Sequence, residues 1–317
     1  MQIVLPGALP PSAPIAAELA KRLPTAAPTL YSWMRQGAGR QTSFDPYVHG
    51  CTPFEAWQLE QAGFQPSAGQ AIGAGLGPLR AGADTPADER IWIADLAHIA
   101  LGTDRASLVP AQALDLTDAE GTALFETARP LFDGTPFKVA PLQAFRWRVT
   151  VPDDMALPTA SPAAVTGQPL NTWWSQDAAA RPWRRLVNEI QMAWYEHPVN
   201  NERAARGLLA ANGVWLYGGA MPWPRPAAPH PAPRIAEDLL AAFQAEDWSA
   251  WLQAIERLDA ETLKPCADGN GRPTGPLTLT LLGRDRRATL ALQPRSPLLR
   301  WLPAREQAWR TWWSPPV

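Results

Sequence analysis

Lysine, cysteine and histidine are scarce in this 317-residue chain, with three, two and four copies. The two cysteines, Cys51 and Cys266, make no disulfide framework and read as reduced thiols of a cytoplasmic protein. No run of 18 or more apolar residues exists, which excludes a membrane-spanning helix. The opening MQIVLPGALPPSAP has neither a basic start nor a long apolar stretch, so no secretory signal is expected there. Neither sign of charge dominates: 28 Lys+Arg against 30 Asp+Glu leave a net charge of -2. That balance lacks the broad basic footprint of a general nucleic-acid binder.

Proline and tryptophan, by contrast, are abundant, with 35 and 16 copies. Most tryptophans fall at the spacing of an apolar helix or strand face, which favours core packing, while exposed indoles are common interface anchors. The length suggests two domains, or one large domain with an insertion, and is ample for a sizeable core.

Residues 2–5 are a short apolar run closed by Pro6-Gly7 and read as a buried strand. Helices are expected over 14–22, 28–37 and 53–62, and 67–88 reads as a connecting loop. Residues 90–101 are a strand candidate, and 143–151 alternates Phe145, Trp147, Val149 and Val151 with the period of a half-buried strand. Between them Thr117-Asp-Ala-Glu120 is a capping box that opens a helix to about residue 132. A proline-rich stretch, 152–169, precedes a long helix over 178–197, where Trp183, Leu186, Val187, Ile190 and Trp194 share a face. Residues 214–217 read as a strand ending in Gly218-Gly219, and 222–233 as an extended proline linker. Helices at 234–244 and 247–264 and a β pair at 277–282 and 288–292 complete the pattern.

Several stretches resemble the archaeal-type cofactor-independent phosphoglycerate mutases of the alkaline phosphatase superfamily. They are the helix beginning Pro28-Thr-Leu-Tyr, the Thr117-Asp-Ala-Glu120 segment with Trp147-Arg-Val-Thr-Val151, and His197-Pro-Val-Asn200 followed by Arg203 and Asn212-Gly-Val-Trp-Leu-Tyr-Gly-Gly219. The same blocks, with Leu5-Pro-Gly-Ala-Leu-Pro10 and Asn188-Glu-Ile-Gln-Met192, are similar to the RpfE-type regulatory family of proteobacteria. Ala100 departs from that family, whose strand has an arginine there.

The resemblance implies an α/β fold, an alkaline phosphatase-like core with an inserted α+β lobe. On that reading residues 1–87 and 170–317 form the core, 88–152 the lobe and 153–169 the connection, with 214–217 in the same sheet as the N-terminal strand. It also implies a two-metal phosphoryl-transfer site, in which metals activate a Ser or Thr nucleophile. Here the residues depart. Gly7 stands where the first metal-binding aspartate is expected, no Asp-His dipeptide occurs, and the nucleophile turn reads His49-Gly50-Cys51-Thr52. No catalytic residue, metal ligand or cofactor is therefore expected.

The remaining candidates are ligand-binding: His197, Asn200, Arg203, Asn212, Gly218 and Gly219. The resemblance places His197, Asn200 and Arg203 at a cleft able to hold an anionic small molecule. Equally, His197 and Asn200 read as caps of the adjoining helices. Cys51 reads as a small buried residue at a helix start, and Asp247 and Asp259 as a helix cap and a solvated helix edge. Three functions follow: a catalytically degenerate, regulatory binding protein with an anionic metabolite or a protein as partner; an active mutase or phosphatase; or an interaction module using exposed Trp309, Trp312 and Trp313. Neither nucleic acid nor membrane is expected as a partner.

Overall fold

The structure, a computed structural model, describes residues 1–82, 86, 88–102, 106–153, 155, 157, 160–228, 230–294 and 309–315. The strands are β1 (Gln2–Pro6), β2 (Ala38–Ser43), β3 (Ile91–Leu101), β4 (Ala106–Pro110), β5 (Lys138–Gln143), β6 (Arg146–Thr150), β7 (Gly213–Ala220), β8 (Arg234–Ile235), β9 (Leu277–Leu282) and β10 (Arg286–Leu292). The helices are α1 (Ala13–Ala26), α2 (Pro28–Gln36), α3 (Pro46–His49), α4 (Pro53–Gln61), α5 (Leu76–Ala81), α6 (Asp118–Ala128), α7 (Pro162–Val165), α8 (Arg181–Tyr195), α9 (Pro198–Ala205), α10 (Leu240–Gln244), α11 (Trp248–Leu258) and α12 (Arg310–Trp313). The class is mixed α/β. No described helix is long and apolar enough to cross a membrane. The chain forms two units, residues 1–45 with 227–317, and residues 46–226.

In the first unit the sheet order is β2-β10-β9-β1-β8, with β1 parallel to both β9 and β8. Ile3, Val4 and Leu5 are fully buried, as their unbroken apolar run requires of a strand covered on both faces. Leu19, Leu23, Trp33, Trp251 and Ile255 bring α1, α2 and α11 into this core. Two expectations are corrected here. Residues 234–235 are a strand, not a helix, and fill the place beside β1. Asp259 is buried, not a solvated edge: its carboxylate accepts the Thr29 and Leu30 backbone N–H groups at 3.2 and 2.8 Å, capping α2 from a distant segment.

The reading of Trp309, Trp312 and Trp313 as an exposed interaction surface is also corrected. All three are buried. Arg286, itself fully buried, donates to the carbonyls of Trp312 (3.3 Å), Trp313 (2.7 Å) and Pro10 (2.8 Å), and Trp313 Nε1 donates to Ala16 O at 2.9 Å. The indoles go inside because each supplies a large apolar face and the arginine satisfies the carbonyls they bring along.

The second unit is built on β3. Its residues 91–97 pair antiparallel with β7 along one edge, and β6 and then β4 pair along the other. β5 pairs with β6. The expectation that 214–217 shares a sheet with the N-terminal strand is therefore wrong: β7 is in this sheet and β1 in the other. β7 is buried along its whole length, and the equally apolar first half of β3 offers it a matched partner. The unit boundaries likewise differ from those read in the sequence, since β7 and α8 share a core with the 88–152 segment. The apolar face of α8 is as read: Trp183, Leu186, Val187, Ile190 and Trp194 are all buried, and each such aliphatic side chain contributes roughly 1.5–3 kcal/mol. Residues 72–81, read as loop, form a 3-10 turn and α5. Gly77 explains the close packing, since a Cβ there would lie 1.9 Å from Ile91 O.

Candidate functional site

α8 ends at Tyr195, and Pro198 at the first position of α9 restarts the helix. His197 is its N-cap: Nδ1 accepts the Val199 N–H at 3.2 Å. On the other side of the ring, Nε2 lies 3.0 Å from Thr127 Oγ1, whose hydroxyl donates to Ala123 O. Nδ1 as acceptor makes Nε2–H the donor, so the ring is neutral. Burial lowers its pKa below the ordinary 6.5 in keeping with that state.

Asn200 is buried and engaged at both ends of its amide. Nδ2 donates to Trp194 O (2.8 Å) and Ala211 O (2.9 Å), and Oδ1 accepts Ala211 N–H at 3.0 Å. Arg203 is fully buried. It donates from Nε to Leu209 O (2.8 Å), from Nη1 to Glu120 Oε2 (3.0 Å) and Asp115 O (3.4 Å), and from Nη2 to Leu114 O. Asn212 reaches across to β3, donating to Ile99 O at 3.0 Å and accepting Ile99 N–H at 2.7 Å, and so extends the β3–β7 pairing by one side-chain rung.

Gly218 and Gly219, with φ near +100°, form a bulge where the β3–β7 register slips. A Cβ on Gly218 would lie 2.8 Å from Gly77 Cα, and one on Gly219 2.5 Å from the Trp92 indole. The glycines serve close approach of α5 and Trp92. Thus His197, Asn200 and Arg203 are brought together, Asn212 binds β3, and Gly218 and Gly219 lie at the far end of β7. Every polar side chain of the set has a partner inside the unit, and the anion cleft expected of His197, Asn200 and Arg203 is instead a packed corner. The physical reason is burial: a guanidinium out of water must be ringed by acceptors.

The nucleophile turn is equally closed. Cys51 is buried, and burial, with the nearby Glu55 carboxylate, pushes its thiol pKa far up, so it remains an unreactive thiol. Thr52 caps α4 through a reciprocal box with Glu55. Gly7, at φ +75°, would put a Cβ 3.0 Å from Phe243 Cβ and 3.2 Å from Leu239 O. Among the described residues no group of three or more His, Cys, Asp or Glu side chains is placed to hold a metal ion.

Sequence reasoning missed a chain of buried charge through the second unit. Ser161 Oγ donates to Glu55 Oε2 at 2.5 Å, and Arg80 pairs with Glu55 Oε1. The Arg80 guanidinium lies over the Tyr217 ring, 5.0 Å from its centroid, and Tyr217 OH donates to Asp95 Oδ2 at 3.0 Å. Arg146 grips Asp95 with two bonds of 2.7 and 2.8 Å. Burial pulls the Arg80 pKa down, but Tyr217, Glu55 and Asp95 around it more than offset this and keep it charged. Burial, then Asp95, raises the Tyr217 pKa and keeps the phenol protonated. One signal was available: Asp95 interrupts the apolar run of β3, and a charge in a buried strand requires a partner.

The second unit also holds an aromatic cleft of about 430 Å³, lined among others by Tyr47, Trp173, Trp174, Thr172, Gln176 and Asp177. A smaller cavity of about 50 Å³ shares Trp173, Trp174 and Ser175 and is bordered by Arg184. Tyr47 meets Trp173 edge-on, with centroids 5.4 Å apart, and Trp174 leans on Trp215 at 5.7 Å.

Together these features define a mixed α/β protein with two sheets, and with a buried polar network and a sizeable cleft in its second unit. No family model matches the chain, and no curated protein matches it. Among solved structures, it is similar to a cofactor-independent phosphoglycerate mutase from Thermoplasma acidophilum DSM 1728, with 15% identity, 92% of this chain and 88% of that chain covered, and a TM-score of 0.32. It is also similar to the PH0037 protein from Pyrococcus horikoshii, with 14% identity, 92% and 86% coverage, and a TM-score of 0.40.

Proposed function

We propose that the protein is a catalytically degenerate relative of the phosphoglycerate mutases, with an alkaline phosphatase-like ancestry, that acts in the cytoplasm by binding in an RpfE-type regulatory role. The observation that carries this reading is the end of β1. Where the resemblance calls for a metal-binding aspartate, Gly7 sits in the left-handed region with its Cβ position pressed on α10. A carboxylate there requires backbone strain and a tight contact to which Phe243 and Leu239 must give way. Two further features favour the reading: Cys51 is sealed off at the nucleophile turn, and Arg203 is engaged by protein acceptors.

The test is a calorimetric titration of the purified full chain with Mn2+ and with Zn2+. No stoichiometric binding is expected. Two equivalents of tightly held metal would overturn the reading.

A further inference from the structure

The cleft of the second unit differs in chemistry from the anion site that the sequence suggested. Its walls are aromatic, contributed by Tyr47, Trp173 and Trp174. The one ionisable acid or base among its lining residues, the Tyr47 phenol aside, is Asp177, an exposed carboxylate. Across the shared wall, Arg184 donates from Nη1 to the carbonyls of Ser175 (2.7 Å) and Asp177 (2.9 Å). The cleft lining itself thus has no cationic side chain to seat an anion, and its one carboxylate is exposed to water, where a single charge attracts a cation only weakly.

The lining narrows the occupant. Thr172, Ser175, Gln176 and Asp177 place hydroxyl, amide and carboxylate groups beside the indoles, a mixture of donors and acceptors against an apolar face. Tyr47 meets the half-buried Trp173 edge-on, centroids 5.4 Å apart, and so helps to hold that ring in the wall.

We propose that this cleft binds a neutral saccharide. The ring's C–H face rests on the electron-rich faces of Trp173 and Trp174, and its hydroxyls bond to Asp177 and Gln176. A cleft of this size accommodates a mono- or disaccharide. The proposal deepens, and rests on, the reading of the chain as a binding protein. Mutase turnover would defeat that reading without touching the saccharide titrations, and failed titrations would defeat the cleft assignment alone.

The experiment is a tryptophan-fluorescence and calorimetric titration of the full chain. The probes are glucose, galactose, mannose, N-acetylglucosamine, maltose and cellobiose, with tetramethylammonium and inorganic phosphate as charged controls. At least one saccharide should saturate, and neither charged control should. Asp177→Ala, at an exposed position, should weaken that saccharide about tenfold by removing a charged acceptor. Trp173→Ala removes an aromatic face and should weaken it roughly fivefold or more. Gln176→Ala, at another exposed position, guards against variants that merely unfold, and its melting curve should match the wild type while affinity falls. Saturation by none of the six sugars, saturation by either charged control instead, or sugar affinity unchanged in all three variants would overturn the proposal.

Discussion

Arg203 and Glu120, 83 residues apart, are joined by a 3.0 Å ion pair between Nη1 and Oε2, and the same oxygen accepts the Thr117 backbone N–H at 2.8 Å. One carboxylate thereby closes the capping box of α6 and neutralises the arginine buried under α9. The two most recognisable motifs of the sequence, Thr117-Asp-Ala-Glu120 and His197-Pro-Val-Asn200 with Arg203, are two halves of one structural joint.

Removing the arginine should therefore unfold the joint rather than empty a site. Arg203→Ala should cost about 3–5 kcal/mol, as breaking a buried ion pair does. Urea denaturation of the wild type and the variant measures this. A variant as stable as the wild type would show that the guanidinium is dispensable to the fold.

The joint should also be acid-sensitive. Burial raises the Glu120 pKa, but the Thr117 N–H and the Arg203 charge outweigh it, and the net shift is downward. Burial lowers that of His197. Both groups bind protons more readily in the unfolded chain, so their contribution to stability is present at high pH and lost as pH falls. His197 acts first, from about 6.5 downward, and Glu120 only below its unfolded carboxylate range. Denaturation midpoints should fall between pH ~7.5 and ~5, and His197→Gln should flatten that slope. An unchanged slope in His197→Gln would contradict the neutral-imidazole assignment.

Much of this was legible in the residues. The capping box at Thr117, the apolar face of α8, and the alternation of β6 are local patterns, and the structure keeps them. What the sequence hid were partners. Tyr217 lies 122 residues from Asp95 and Ser161 lies 106 from Glu55, and no local spacing links them. Likewise β7 reads as an apolar strand in either sheet, because periodicity gives an element's face but not its neighbour. Asp259 read as a helix edge because its targets, the N–H groups of Thr29 and Leu30, belong to a helix 230 residues earlier.

The C-terminal tryptophans give a second stability prediction. Arg286→Ala should leave the Trp312, Trp313 and Pro10 carbonyls without their donor, at about 1–3 kcal/mol for each buried group left unsatisfied. The emission maximum of the variant should move to longer wavelength as the indoles meet water. Wild-type emission together with wild-type stability would contradict the clamp.

Gly7 offers a direct trial of the β1 turn. Gly7→Asp, which restores the residue that the resemblance implies, should destabilise the first unit by roughly 1–3 kcal/mol from backbone strain, with the Phe243 contact adding to it. It should gain no Mn2+ affinity in calorimetric titration. A stable variant with newly acquired metal would mean that the turn is a readily reopened metal site.

The central claim, a binding protein without phosphoglycerate mutase chemistry, is tested most directly by phosphorus NMR of 3-phosphoglycerate incubated with the full chain and Mn2+. The account predicts a spectrum unchanged from the protein-free control. Steady growth of the 2-phosphoglycerate resonance in proportion to protein concentration would contradict it.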